Sequence, residues 1–308
     1  MIDCQSASLQ NTVNCISILE TKDKSEHLLT SGIDALRMKG RNAKRIKVIQ
    51  PFVSNRISDM KYAVLLLQHV LHNFQGRALW STPTVTMLVP ENVTDNELIV
   101  YSQMWRKVGC RNVQFESRVQ SAARGLQIPY EEPKGYMLID FGQVKTEISI
   151  LSCGGVVTNK NISVGGNSIN ENIIHLMRLK HKIQISDEMA ERMKLASGSA
   201  VHRMASEELC LVMGISLVSG LPRTVSIPAV DISNSIWDTL SILRDCIEDI
   251  LADVDASIAS DIVRNGVVLY GGSSRINNLD IAMSELLTYP VIIPNDPELV
   301  TIKGMITQ

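Results

Sequence analysis

The chain has 308 residues, long enough for two ordinary domains and for burial of roughly three-quarters of its unfolded surface. Its 30 basic and 32 acidic side chains leave a net charge of -2, too little for the electrostatic field that nucleic-acid partners require. The six cysteines, at 4, 15, 110, 153, 210 and 246, form no C-x-x-C pair, which argues against a zinc site or a disulfide frame, and the scarcity of aromatics (4 %) suits an aliphatic α/β core.

The start, Met1-Ile-Asp-Cys-Gln, lacks the basic residues and apolar run of a secretory leader, and no window approaches ~20 uninterrupted apolar residues. A soluble, cytoplasmic protein is expected. Residues Leu9 to Ile18 read as a turn running into a strand, Thr21 to His27 as a polar hairpin connection, and Ser31 to Met38 as a short helix stopped by Gly40. The basic run Lys39, Arg41, Lys44, Arg45 and Lys47 is read as a solvated face. Ser58 to Leu71 is an apolar helix with a serine or aspartate cap. The polar loop after it holds Leu79-Trp80, a pair that either packs back on the core or dips into a lipid interface, where Trp is favoured. Thr84 to Val89 is a strand, Thr94 caps a helix from Asp95 to Val108, and Gly109 ends it. Glu116 closes the next short strand. In an open α/β sheet such strand ends face the ligand crevice, which makes Glu116 a candidate for chemistry. Val119 to Leu126 is a small-residue helix in which Ala122, Ala123 and Gly125 permit close packing.

From Gly135 to Val157 two buried strands flank a polar turn carrying Asp140, Gly142, Lys145, Thr146 and Glu147, groups that can bind a metal or an anion. A strand then feeds the Gly165-Gly166 turn and a helix over 169–179, and Ser186 caps a helix that closes on Gly198. Strands over 215–218 and 224–227 surround Gly220-Leu-Pro222, and one long helix is predicted from Asp231 to Val254. Ile262 and Val263 precede a strand ending on Gly271-Gly272 and Ser273, followed by a helix over 276–287, a last strand near Val291, and a short helix over 299–306. A strand, two glycines and a helix is a general anion-binding device: glycine lets the backbone approach and helix amides attract negative charge.

Taken together, the Asp140–Thr146 hairpin, the Ser163-Val-Gly-Gly-Asn167 turn and Val268-Leu-Tyr-Gly-Gly-Ser-Ser274 resemble, in order and spacing, the actin and heat-shock-chaperone ATPase superfamily, and within it the MreB-like bacterial actins. The likeness extends over nearly the whole chain, through Asn11 to Ile18, Gly32 to Arg41, Thr86 to Thr94, Ala190 to Ala200 and Gly220-Leu-Pro-Arg-Thr-Val225. It implies an α/β, actin-like ATPase fold of two similar mixed-sheet domains with a nucleotide cleft between them: 1–134, with the small subdomain and the loop at 79–80, and 135–308, with a small subdomain near 170–230. It further implies ATP and Mg as cofactors. Glu116 would orient the attacking water, and Asp140 would help hold the metal-bound phosphate. Gly142, Lys145, Thr146, Gly165, Gly166, Glu191, Lys194, Gly271, Gly272 and Ser273 would surround the nucleotide. Leu79 and Trp80 correspond to the apolar pair with which MreB-like proteins touch the membrane.

Two departures modify that expectation. Family members open with a phosphate loop Asp-Leu-Gly-Thr-Ala-Asn, and here Met1 to Ser8 offers only a worn version with Asp3 as its acid; the preferred reading is that this loop is absent and the first domain truncated. The second loop, Asp-Ile-Gly-Gly-Gly-Thr-Thr in the family, is Asp140-Phe-Gly-Gln-Val-Lys-Thr146, so Gln143 and Val144 should flatten or block the anion nest. The expected protein is a membrane-associated, cell-shape-determining filament subunit with a degenerate ATP site and no or very weak ATPase activity. Its partners would be itself or another MreB, the inner membrane surface and cell-wall elongation proteins, with no nucleic acid. Two alternatives stand beside it: a pseudo-ATPase that binds and regulates a regular MreB, and a sugar or acetate kinase on the same fold.

Overall fold

A computed structural model describes residues 2–3, 8–9, 13–21, 23, 25–41, 43–53, 56–75, 83–201 and 209–306. The chain divides into two compact units, Met1–Arg118 and Val119–Gln308.

In the first unit a three-stranded antiparallel sheet of β3 (Ile16–Glu20), β4 (Glu26–Ser31) and β5 (Ile46–Ile49) runs in the order β4-β3-β5. It follows a short antiparallel pair, β1 (Ile2–Asp3) with β2 (Ser8–Leu9). Helix α1 (Ile33–Arg37) and a small hairpin, β6 (Phe52–Val53) with β7 (Arg56–Ile57), lead to α2 (Met60–Gln75). Asp59 caps α2 by accepting from the amides of Lys61 and Tyr62, and the helix lays Leu66 and Val70 on Ile16 and Ile18. Strand β8 (Thr84–Val89) pairs in parallel with β9 (Asn112–Ser117) across helix α3 (Asp95–Val108). The ends of α3 fall where its sequence signals put them. Thr94 and Glu97 form a reciprocal capping box, and Gly109 takes the left-handed conformation after the last turn. Cys15 and Cys110 are buried in this unit, and burial pushes both thiols up, which keeps them unreactive.

The second unit is built on a five-stranded sheet, β12-β11-β10-β16-β17. Strands β10 (Tyr136–Phe141), β11 (Thr146–Ser152) and β12 (Gly155–Ile162) form an antiparallel meander; β16 (Val267–Tyr270) joins β10 in parallel and β17 (Val291–Ile292) joins β16. Side-chain alternation splits β10 between two cores. Met137, Ile139 and Phe141 face a large cluster with α5 (Gly166–His181), α7 (Ala229–Ala252) and α9 (Leu279–Leu287), whereas Leu138 faces α4 (Arg118–Gly125) and α10 (Val300–Ile306). Covering both faces is what makes near-continuous apolar strands possible.

Helix α4 precedes the expected domain division at 134, yet it packs into the second unit through Val119, Ala122 and Ala123 against Leu138, Leu151 and Val300. Its small residues bring it close to α10: a Cβ on Gly125 would lie 2.2 Å from the Val300 carbonyl, and one on Gly304 would lie 1.6 Å from that of Ser121. Ser121 Oγ donates to the Thr301 carbonyl across the same crossing at 2.8 Å.

A second, three-stranded sheet, β13-β14-β15, comprises β13 (Ile183–Gln184), β14 (Leu209–Ser216) and β15 (Pro222–Pro228), with helix α6 (Asp187–Ser197) beside it. Strand β15 extends its predicted span at both ends, whereas β14 shares only Ile215 and Ser216 with the predicted 215–218, and Leu217 and Val218 lie in the following turn. Helix α8 (Ala256–Asn265), capped by Asp255, occupies a stretch to which the sequence reading assigns no element. The predicted helix over 276–287 is also corrected. After Gly271 the chain makes a single 3-10 turn, Gly272–Arg275, and α9 begins only at Leu279, because Asn278 adopts a left-handed φ of 59° and Asn277 and Asn278 turn aside to bond Gly198 and Ser199.

Candidate nucleotide site

The hairpin between β10 and β11 closes with Phe141 paired to Thr146, leaving Gly142 to Lys145 as its tip. The tip is seated on the start of α5: the amides of Gly166 and Asn167 donate to the carbonyls of Gly142 (3.0 Å) and Gln143 (2.7 Å). Two of the four amides that a helix start leaves without an intrahelical partner are thereby satisfied by the loop itself. Ser273 Oγ donates to the same Gly142 carbonyl at 2.8 Å, so three segments distant in sequence meet at one peptide group. Thr146, fully buried, donates through Oγ1 to the Val164 carbonyl at 2.6 Å and braces the approach to α5.

Glycine is demanded here by space. A Cβ on Gly166 would meet Ser273 Oγ at 2.6 Å and Lys194 Nζ at 3.1 Å, and one on Gly165 would press on the carbonyls of Gly142 and Gln143 at 2.7 Å. Gly271 is held at φ 93°, and a Cβ there would lie 2.5 Å from Asp140 Oδ1, so the end of β16 can lie against Asp140 only without a side chain. Around Gly272 there is open space.

Lys194 is 2 % exposed and its ammonium is met by Glu191 Oε2 at 2.7 Å and by the Gly166 carbonyl at 3.2 Å. Glu191 lies one helical turn away on α6 and also accepts from Asn170 Nδ2 at 2.7 Å. Burying an ammonium is costly unless it is paired and hydrogen-bonded, and this one has both. Asn170 and Ser168, whose Oγ accepts from the Gly165 amide at 3.2 Å, belong to the cluster but are missed by the sequence reading. Their signal was available: Asn170 lies one turn beyond Gly166, on the helix face that carries the glycine.

The structure thus gathers Asp140, Gly142, Thr146, Gly165, Gly166, Glu191, Lys194, Gly271 and Ser273 into one neighbourhood of the second unit, with Gly272 next in the chain. Lys145 reaches sideways, its ammonium donating to Asn161 Oδ1 of β12 at 2.7 Å. Glu116 belongs to the first unit, at the C-terminal end of β9, paired with Leu88; its neighbour Ser117 donates to Glu91. Leu79 and Trp80 lie outside the described residues. Among the described residues no group of three or more His, Cys, Asp or Glu side chains could hold a metal by itself, and no helix is long and apolar enough to cross a membrane.

The tip lacks the left-handed residue that an anion nest uses. Gly142, Gln143, Val144 and Lys145 all have φ outside the left-handed region, so the turn closes without the conformation that favours glycine. The amides of Gln143 and Val144 make no hydrogen bond among the described residues and remain available as donors. Val144 is half exposed at the tip.

The family model described as MreB/Mbl protein matches residues 10–308. The cell shape-determining protein MreB of Escherichia coli K12 is 30 % identical over 267 residues, covering 86 % of this chain and 77 % of that protein. The cell shape-determining protein Mbl of Bacillus subtilis strain 168 is 26 % identical over 281 residues, covering 91 % and 84 %. Among solved structures, MreB5 of Spiroplasma citri bound to ADP superposes with a TM-score of 0.88 at 28 % identity, over 96 % of this chain and 88 % of that one. These likenesses run through both units and through every segment of the cluster around Gly142, and the chain belongs to the MreB/Mbl family of cell-shape proteins, with an actin-like ATPase fold.

Proposed function

We propose that this chain is a filament-forming, cell-shape-determining cytoskeletal subunit that holds an adenine nucleotide loosely and turns it over very slowly or not at all. The observation that carries the reading is the hairpin tip seated on α5: the frame of a second phosphate loop is intact, while its centre is Gln143-Val144-Lys145. Related MreB5 of Spiroplasma citri has been solved bound to ADP and bound to AMPPNP. On this reading Glu191, paired to Lys194 and Asn170, would offer a carboxylate to sugar hydroxyls, and the amides of Gln143 and Val144 would serve as phosphate donors. The side chains on those two residues restrict the approach that glycine would leave open. A hydrogen bond to a charged group is worth roughly 1.5–3 kcal/mol, so loss of two phosphate contacts weakens binding by about 10²- to 10⁴-fold. Phosphoryl transfer depends almost wholly on positioning, and turnover falls with that grip. Asp140 would help hold the metal-bound phosphate, with Mg supplying charge neutralisation there, and Glu116 would orient the attacking water.

Calorimetric titration of the purified chain with Mg-ATP tests this. A dissociation constant in the high micromolar to millimolar range, without phosphate release, is expected, and Gln143→Gly with Val144→Gly should tighten it at least tenfold. Tight binding with steady phosphate release would sink the degenerate-site reading. Electron microscopy decides the assembly: filaments from the pure chain support a self-sufficient subunit, whereas copolymerisation only with a regular MreB supports the regulatory alternative. Transfer of phosphate to sugar or acetate would instead establish the kinase. The same reading makes the protein peripheral to the inner membrane surface through Leu79 and Trp80, in the company of cell-wall elongation proteins. Two side chains anchor weakly, so many copies in a filament must act together. Liposome co-sedimentation of filaments should fall after Leu79→Ser with Trp80→Ser; unchanged pelleting would remove that element.

A further inference from the structure

Between Asp34 and Asp59 the chain carries seven of its 30 basic side chains and none of its 32 acidic ones. Six of the seven, Arg37, Lys39, Arg41, Lys44, Arg45 and Lys47, run from the last residue of α1 to the second of β5, and all six are exposed. Carboxylates answer two of them: Asp34 meets Arg37 at 3.4 Å and Glu20 meets Lys47 at 2.8 Å. Lys39, Arg41, Lys44 and Arg45 form no ion pair among the described residues. The backbone that presents them is fixed. The Lys39 and Arg41 amides donate to the Leu36 and Met38 carbonyls at 3.0 Å each, the Ile46 amide donates to Ala43 at 2.9 Å, and the Arg45 carbonyl accepts from the Glu20 amide of β3 at 2.9 Å. Gly40, at φ 76°, has open space around it, so the turn stands out from the edge strand β5. Ile33, 50 % exposed, lies one helical turn before Arg37 on the same side of α1. A merely solvated surface interleaves both signs of charge, whereas this one gathers cations that repel one another and leaves them unanswered.

We propose that this turn is a docking surface for the headgroups of anionic phospholipid. A compact anion is held by donors that converge on it, but these side chains project from an outstanding turn and suit a plane of diffuse negative charge. Each Lys or Arg near an anionic bilayer strengthens binding by about fivefold, so four together reach roughly several hundredfold. Ile33 enters the interface beside them while the Lys and Arg stems lie along it. No aromatic residue interleaves with the cations from residue 35 to residue 51, as base stacking on a single strand would need. The surface lies in the first unit, away in sequence from the candidate nucleotide site, and acts independently of Leu79 and Trp80, because apolar side chains do not read headgroup charge.

Flotation of the full chain, freed of nucleotide and magnesium, with vesicles of phosphatidylcholine alone and of phosphatidylcholine mixed equally with phosphatidylglycerol tests the assignment. Partition onto the mixed vesicles should exceed that onto phosphatidylcholine by at least about 100-fold at low salt, and the excess should vanish at about 0.5 M salt. Lys39→Gln, Arg41→Gln, Lys44→Gln and Arg45→Gln together should abolish the excess with unchanged far-UV circular dichroism. Lys44→Gln with Arg45→Gln, gentler on folding, should lower it at least about tenfold. Leu79→Ser with Trp80→Ser should leave the excess in place. Equal partition onto both vesicle types, or an excess indifferent to the glutamine substitutions, overturns the proposal. So does release from the mixed vesicles by millimolar pyrophosphate at constant ionic strength, the mark of a discrete phosphate pocket. Retention by duplex DNA with no preference between the vesicles would assign the turn to nucleic acid instead. Binding to both vesicle types alike that is lost with Leu79→Ser and Trp80→Ser would keep the apolar anchor and remove this surface.

Discussion

Strands β11 and β14 are both the middle strand of an antiparallel trio, and the chain uses the same two-residue alternation in opposite ways. Six of the seven residues of β11 are buried, because helices lie on both faces of its sheet. In β14 the buried positions are the smaller ones and the exposed positions the larger, because the described chain supplies only one cover. Alternation locates a strand. The number of layers over it depends on what else the molecule, or another molecule, brings to that face.

The comparison breaks most severely if a cover of the central sheet is pried off. Gly304→Val places a branched side chain where even a Cβ would fall 1.6 Å from the Ser121 carbonyl, so α10 cannot remain on α4. A loss of more than ~3 kcal/mol is expected. Urea unfolding followed by circular dichroism measures it, and an unchanged midpoint would mean that the crossing is not tightly seated. A paired substitution sharpens the contrast directly. Ile150→Ala, fully buried in β11, should cost about 2–5 kcal/mol, whereas Leu211→Ala in β14 should change the stability of dilute protein by no more than about 0.5 kcal/mol. Equal costs would show that the β14 face is already covered within one chain.

The central sheet should betray its burial more gently through Tyr289, which packs on the large core cluster. Burial, with the nearby Glu248 carboxylate, pushes its phenol up to about 12. The folded form keeps this proton after the unfolded chain has lost it near pH 10, so the contribution is full below pH 10 and lost as pH rises toward 12. Allowing for its partial exposure, the loss is about 1 kcal/mol. Tyr289→Phe should flatten this decline relative to the parent chain, and because the buried phenolic oxygen has no hydrogen-bond partner among the described residues it should not lower stability at neutral pH. Urea midpoints at pH 9 and 11.5 for both chains check it; parallel declines would place the titration elsewhere.

Legibility followed the reach of the determining interaction. Helix α3 could be read to the residue because Thr94, Glu97 and Gly109 act locally. The turn residues of the candidate site could be read too, since glycine pairs and the Asp140–Thr146 hairpin carry their own chemistry in sequence. The seat of the Gly142 carbonyl on Gly166 and Ser273 could not, being made by segments up to 131 residues apart. The break before α9 depends on Asn277 and Asn278 finding Gly198 and Ser199, again a distant matter. The absence of α8 from the sequence reading has a different origin: Asp255 and the apolar residues 258, 259, 262 and 263 are a local helix signal, overshadowed by the strand that follows.

The two hydrogen bonds from Gly166 and Asn167 to the hairpin tip have a mechanical consequence. They clamp one end of α5, a rod of 16 residues and thus about 24 Å, to the loop. Directly beyond the other end of that rod the Lys182 carbonyl accepts from the Leu217 amide, at the foot of the apolar turn. A displacement of the hairpin tip would therefore be felt at the far end of this rod, at the turn that leaves β14.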